Sequence, residues 1–138
     1  MDAGLVDTAV AMARDDGTFL LNAGGWDGAL VLVSGDEVWP IALRDGLPEG
    51  LLAAQGAPDG HVVTVAAEPA VWDAVLSWPP PPGLADLVGA ITTGQVSIEP
   101  MPETTERHLA VTRFGELLRH AAMGTDPAPA VVDPDTPP

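Results

Sequence analysis

Two β-rich runs on either side of Gly35-Asp36 constrain this chain more than any other stretch. In "ALVLVSGDEVWPIALRDG" the runs at about 29–33 and 37–44 are dense in Val, Leu, Ile and Trp. Gly35 and Asp36 between them suit a two-residue hairpin turn, because glycine reaches positive φ without steric cost. An isolated hairpin is marginal in water, so this one needs more strands and a covering layer. Pro40 cannot donate to a ladder, which places its strand at an edge or at a bulge. "HVVTVAA" from His61 is a third strong strand, and "QVSIE" is a fourth, with Val96 and Ile98 on one face. Residues 45–60 read mainly as loop, with a short strand near Leu51 to Ala54.

The helical signals surround these strands. Asp2 can cap a helix over 3–14, with Leu5, Ala9 and Met12 on one face and Val6, Val10 and Ala13 beside them. "FLLNAGGWDG" has a weak pattern, and its glycines argue for a loop or a close backbone approach. Glu68-Pro69 opens a helix with proline at the first-turn position. Val71, Val75 and Trp78 fall on one side of it, and Trp72 and Leu76 form an adjacent row. Four prolines, 79–82, lead to a second short amphipathic helix through Leu84, Leu87, Val88 and Ile91. The longest helix lies in "PETTERHLAVTRFGELLRHAA", where Ala110, Phe114, Leu117 and Ala121 recur at three and four residues and Val111 and Leu118 widen the stripe. The pattern is α+β, a mixed sheet under a helical layer. One domain over 1–123 is expected, followed by a disordered Pro- and Asp-rich tail over 124–138.

Charge narrows the partners. Twenty Asp or Glu against five Arg and no Lys leave a formal net charge of −15. Such a surface repels phosphate backbones and anionic headgroups, so nucleic acid and stable membrane association are disfavoured. Its simplest role is solubility, and the alternative is steering of a cationic substrate or basic partner. With no cysteine, disulfides, thiolate metal sites and a cysteine nucleophile are excluded. The acidic N-terminal stretch does not resemble a secretory signal, and no stretch approaches the roughly 20 apolar residues of a membrane span, so a cytoplasmic location is expected. The missing Lys with abundant Ala, Gly, Pro, Asp and Val suggests a GC-rich bacterial source.

Catalytic groups are sparse. There is no GxSxG, no phosphate-cradling loop with lysine and no paired-histidine zinc motif. His61 starts a strand and reads as an ordinary strand-end residue. Glu116 and His120 are four apart and face the same side of the last helix, a spacing compatible with a metal or a general base, though a solvated ion pair near the helix C-terminus is the favoured reading. Arg113 and Glu116 suit a pair on the helix surface, whereas a buried arginine would be informative because an unpaired charge cannot stay in a core. "WDG" at 26–28 reads as a turn with an anchoring indole. The four Trp are the main large rings, and besides filling a core some of them suit the wall of an apolar ligand pocket. No cofactor and no metal site are expected.

In order and in motif the chain resembles the sterol carrier protein family of lipid-binding domains. The resemblance runs from Trp26 to about Ala121. It rests on "RDG" at Arg44 to Gly46 after the second strand, on the strand at 61–67 running into a Trp-containing helix, and on the G-x-[VL]-x-[IV] strand at Gly94 to Ile98 before the last helix. It implies a mixed, mainly antiparallel sheet of about five strands flanked by helices, with a hydrophobic tunnel for lipid-like molecules. By position the ligand-lining candidates are Trp39, Trp72, Trp78, Leu84, Leu87, Val88, Phe114 and Leu118. Glu99-Pro100 stands where the family commonly has glycine soon after the final strand, and the basic residues that relatives use toward CoA phosphates or membranes are missing. Those departures disfavour acyl-CoA and favour a neutral or cationic apolar ligand. The proline run has the PxxP spacing of docking motifs but no flanking base, so it reads as a stiff connector in the tunnel wall.

Three functions fit these features. The first is a non-enzymatic carrier of a small hydrophobic molecule, lipid-, sterol- or polyketide-like. The second is an enzyme on the same fold, a cyclase or isomerase of secondary metabolism, with His108, Glu106 or Asp86 moving a proton. The third is an accessory subunit, or one half of a homodimer, whose apolar groove receives a partner protein or a second copy.

Overall fold

The computed structural model describes residues 1–51 and 60–124, the side chain of Val88 excepted. Two aspartates start the first two helices by the same device. Asp2 accepts a hydrogen bond from the Leu5 N–H at 2.8 Å and opens α1, Ala3–Arg14. Asp16 does so for Phe19, also at 2.8 Å, and opens α2, Gly17–Ala23. This second helix replaces the loop expected at 19–23, whereas the close backbone approach is present at Gly28, where a Cβ would lie 2.0 Å from the His61 carbonyl oxygen. Its side-chain cap and the full burial of Phe19 and Ala23 outweigh the poor helix propensity of Gly17 and Asn22.

The hairpin forms as expected, with β1 at Gly28–Ser34, β2 at Glu37–Arg44 and Gly35 at φ 59° between them. A second two-residue turn, Asp45-Gly46, follows at once and leads into β3, Leu47–Leu51. Both turn residues have positive φ, 49° and 81°, the combination that matches strand twist in a tight hairpin. Gly46 also faces the Ala23 carbonyl so closely that a Cβ would lie 2.4 Å from its oxygen. The "RDG" motif is thus a steric requirement. β3 starts four residues earlier than the strand expected near Leu51, and the remainder of that expected strand, like the tail at 125–138, lies outside the described residues.

β4, His61–Ala67, runs into α3, Pro69–Val75, with Pro69 in the first turn. α4, Leu87–Ala90, and a 3-10 turn, Ile91–Thr93, precede β5, Val96–Glu99. α4 is shorter than the helix expected through Leu84 and Ile91. α5, Thr105–Met123, begins at the Thr104 cap and ends at Gly124 in the left-handed conformation that helix C-termini favour.

The five strands lie in the order β3-β2-β1-β4-β5. β1 and β4 are parallel and every other pair is antiparallel, so the sheet is mixed and the class is α+β. β2 is an inner strand, which corrects the edge placement of Pro40. The strand's pairing with β3 shifts register between Ala42 and Leu43, two residues beyond the proline. Alternation sends Leu30, Leu32, Trp39, Ile41, Val63, Val65, Val96 and Ile98 into the core under the helices. From α5 the core receives Ala110, Val111, Phe114, Leu117 and Leu118, and Phe114 meets the Phe19 ring at 5.9 Å. On the opposite sheet face lie Val31, Val33, Val38, Pro40, Ala42, Val62, Thr64 and Ala66, an apolar surface with Val38 56% exposed.

Candidate functional site

The arrangement that stands out sits where α5 ends against the proline connector. After α3 the chain passes through Ser77 and Trp78, takes a cis peptide bond into Pro79, and turns at Gly83 with φ 84°. The Leu84 N–H donates to the Pro81 carbonyl at 3.0 Å, closing that turn. Arg119 reaches from α5 to both ends of the connector. Its Nε donates to the Val75 carbonyl at 2.8 Å, and its Nη2 donates to the carbonyls of Ala85 at 2.8 Å and Leu84 at 3.4 Å. One planar cation therefore holds the end of α3 and the approach to α4 together, a role suited to the rigid guanidinium fork. Arg119 is only 8% exposed. Burial lowers its pKa from the ordinary arginine value, and the nearby Glu116 and Asp86 carboxylates act the other way.

Beside this clasp is a cavity of about 270 Å³ lined by Trp78, Ala85, Glu116, Arg119, His120 and Met123. Trp78 is 69% exposed and Met123 is 40% exposed, so the apolar wall is open to solvent rather than sealed in the core. Glu116 and His120 share this wall, as their four-residue spacing requires. The Glu116 carboxylate accepts from Arg113 Nη1 at 2.8 Å.

Arg113 is buried, which corrects its expected place on the helix surface. Its pair with Glu116 is present, but its stronger partner is Asp16, which accepts from Nε at 2.9 Å and from Nη2 at 2.8 Å. The Arg113 bond holds the Asp16 carboxyl below its ordinary value, with the Phe19 N–H helping and burial opposing. The same bond raises the Arg113 pKa further above its ordinary value. Asp16 thus caps α2 and ties it to α5 at once.

Of the residues proposed to line a ligand site, Trp78 faces the cavity. Trp39, Trp72, Leu84, Leu87, Phe114 and Leu118 are packed in the core, and the side chain of Val88 lies outside the described residues. Trp72 is completely buried and its indole N–H donates to the Val33 carbonyl at 2.8 Å, so it binds α3 to the sheet. The acid–base candidates do not converge on the cavity. Glu106 is exposed in the first turn of α5, His108 is half-buried further along it, and the Asp86 carboxylate accepts from the Gly89 N–H at the start of α4. Among the described residues no group of three His, Asp or Glu is placed to hold a metal. Arg119, Ala85 and Met123 were not expected as lining residues, because the clasp depends on carbonyls that no side-chain pattern reports.

A second hollow of about 260 Å³ lies at the other end of α5, between Trp26, Asp27, His61, Glu103, Thr104 and Arg107. Trp26 is buried and donates to the His61 carbonyl at 2.8 Å, the anchoring role read from "WDG". Arg107 covers its ring at 5.3 Å and donates to the Asn22 and Gly24 carbonyls, so this guanidinium is engaged in packing.

The whole architecture has counterparts among solved structures. A conserved hypothetical protein from Thermus thermophilus, described as possibly a sterol carrier protein, matches with a TM-score of 0.63 and 17% identity over 94% of this chain and 92% of its own. Sterol carrier protein 2 matches with a TM-score of 0.63 and 14% identity over 86% of this chain and 95% of its own. The chain has the sterol carrier protein fold. No protein-family model and no curated protein matches it by sequence. The SCP-2-like sheet and helical layer expected from "RDG", the 61–67 strand and the Gly94 to Ile98 strand are therefore present. Among the described residues no helix is long and apolar enough to cross a membrane.

Proposed function

We propose that this protein binds and carries a small hydrophobic molecule, lipid-, sterol- or polyketide-like, without transforming it, in the cytoplasm. The observation that carries this reading is the open apolar wall of Trp78, Ala85 and Met123 at the end of α5, on a fold shared with sterol carrier proteins. A large exposed indole beside a rigid connector is costly to leave in water and well suited to cover an apolar ligand. Native mass spectrometry of the purified protein, followed by denaturing extraction, tests it. A stoichiometric hydrophobic molecule released on unfolding is the expected result. A chemically altered form of a supplied ligand would instead favour the enzyme reading.

A second reading rests on the opposite face of the sheet. Antiparallel sheets commonly turn polar residues outward, yet here Val31, Val33, Val38, Pro40, Ala42, Val62 and Ala66 face out. That surface supports association with a partner protein or a second copy. Light scattering across a concentration series checks the second copy, and a constant one-chain mass excludes it.

A further inference from the structure

The cavity beside the connector is lined by Arg119, one nitrogen of which the described residues leave without a partner. Arg119 carries five N–H groups. Nε and Nη2 are spent on the carbonyls of Val75, Leu84 and Ala85. Nη1 has no partner among the described residues. No fully buried side-chain nitrogen or oxygen of the described residues lacks a partner, so Nη1 is not sealed in the core. Arg119 is more than nine-tenths buried, and the cavity is lined by this residue. A cation so placed, with one nitrogen not used by the fold, beside a hollow walled in part by Trp78, Ala85 and Met123, is suited to an acceptor brought by a ligand.

The surroundings select the kind of acceptor. Strong recognition of carboxylate or phosphate by arginine uses two nitrogens side by side, and here only one is available. The Glu116 carboxylate lies in the same wall, Asp86 is close enough to act on Arg119, and the C-terminal carbonyls of α5 end here. All three oppose a second anion, as does a net charge of −15. We infer that this cavity takes a neutral hydrophobic molecule bearing one uncharged oxygen acceptor, a ketone, ester or hydroxyl, which docks on Arg119 Nη1 while its apolar body covers Trp78. The inference rests on the cavity being the ligand site, as proposed above.

Three probes of one shape separate the possibilities: butylbenzene, butyrophenone and phenylbutyrate. Each is titrated into the full-length, 15N-labelled protein, and Kd is read from the Trp78 indole N–H. Butyrophenone should bind about tenfold tighter than butylbenzene, the usual effect of one hydrogen bond to a charged group. It should exceed phenylbutyrate by at least as much. Equal affinities for ketone and hydrocarbon, or tightest binding of the carboxylate, would overturn the inference while leaving the cavity a ligand site. No binding of any probe would overturn the cavity reading and the inference with it. Arg119→Met, checked for folding by circular dichroism, should bind the ketone and butylbenzene with equal affinity, whatever that affinity is; a ketone preference that survived in this variant would overturn the inference. If that variant does not fold, the comparison of probes on the unaltered protein still decides.

Discussion

Arg113 and Arg119 leave the same helix less than two turns apart, and both are more than nine-tenths buried, yet the two regions they hold are built on opposite principles. Around Arg113 the charge is matched. Asp16 and Glu116 surround it, α2 is capped by the same carboxylate, and the junction of α2 with α5 is closed. Around Arg119 the partners are neutral carbonyls of a connector rich in proline. Carbonyls satisfy a guanidinium geometrically without cancelling its charge, so burial prevails and the pKa is lowered, whereas at Arg113 the carboxylate bonds outweigh the same effect of burial. The first region spends its arginine wholly on stability, whereas the second keeps part of it facing an open cavity. The contrast supports the proposal that a ligand is received at the connector.

The largest effect should come from breaking the matched side. Asp16→Ala removes the two-bond carboxylate partner of buried Arg113 and the cap of α2 together, so it should cost about 3 kcal/mol in urea unfolding. Arg119→Met should cost less, about 2 kcal/mol, because it leaves no partner charge buried and the carbonyl of exposed Ala85 can recover water. If the two variants proved equally costly, the distinction between a matched and an unmatched arginine would fail.

The two regions also differ in pH response. The folded-state pKa of Asp16 lies below its ordinary value of 3.8. Its stabilisation is therefore full above the unfolded value and disappears as pH falls through the lower folded value. Asp16→Asn should be less stable than the unaltered protein at neutral pH by about 1–2 kcal/mol, and that gap should close as pH drops below about 4. Urea midpoints at the two pH values measure it. A gap that stayed constant in acid would remove the carboxylate from the stabilising role given to it here. The smallest effect on folding belongs to Trp78→Ala. An indole already mostly in water should change stability by no more than about 0.5 kcal/mol, while weakening an apolar probe about tenfold.

Much of this contrast is hidden in the sequence, for identifiable reasons. The β1–β2 hairpin is legible because Gly35 punctuates two β-rich runs, and α3 because Pro69 stands where a helix tolerates it. Asp45-Gly46 is equally a turn signal, but the glycines and prolines that follow mask the strand beyond it. The α2 segment escapes a local reading because its cap, Asp16, is fixed by a residue 97 positions away. Trp78 falls by spacing in the row of Val71 and Val75, yet α3 ends at Val75, so the indole leaves the buried row and turns outward. Trp72 stays in register and is sealed. Periodicity tells which residues share a face only while the helix lasts. The clasp at Arg119 is illegible altogether, since its acceptors are backbone carbonyls.

The most direct test is a butylbenzene titration followed through the four tryptophan indole N–H signals, with Trp78→Ala used to assign one of them. The cavity at the end of α5 predicts that the Trp78 signal shifts and saturates while those of Trp26, Trp39 and Trp72 stay in place. Saturable movement of Trp39 and Trp72, with Trp78 unaffected, would contradict it and put the ligand inside the packed layer between sheet and helices.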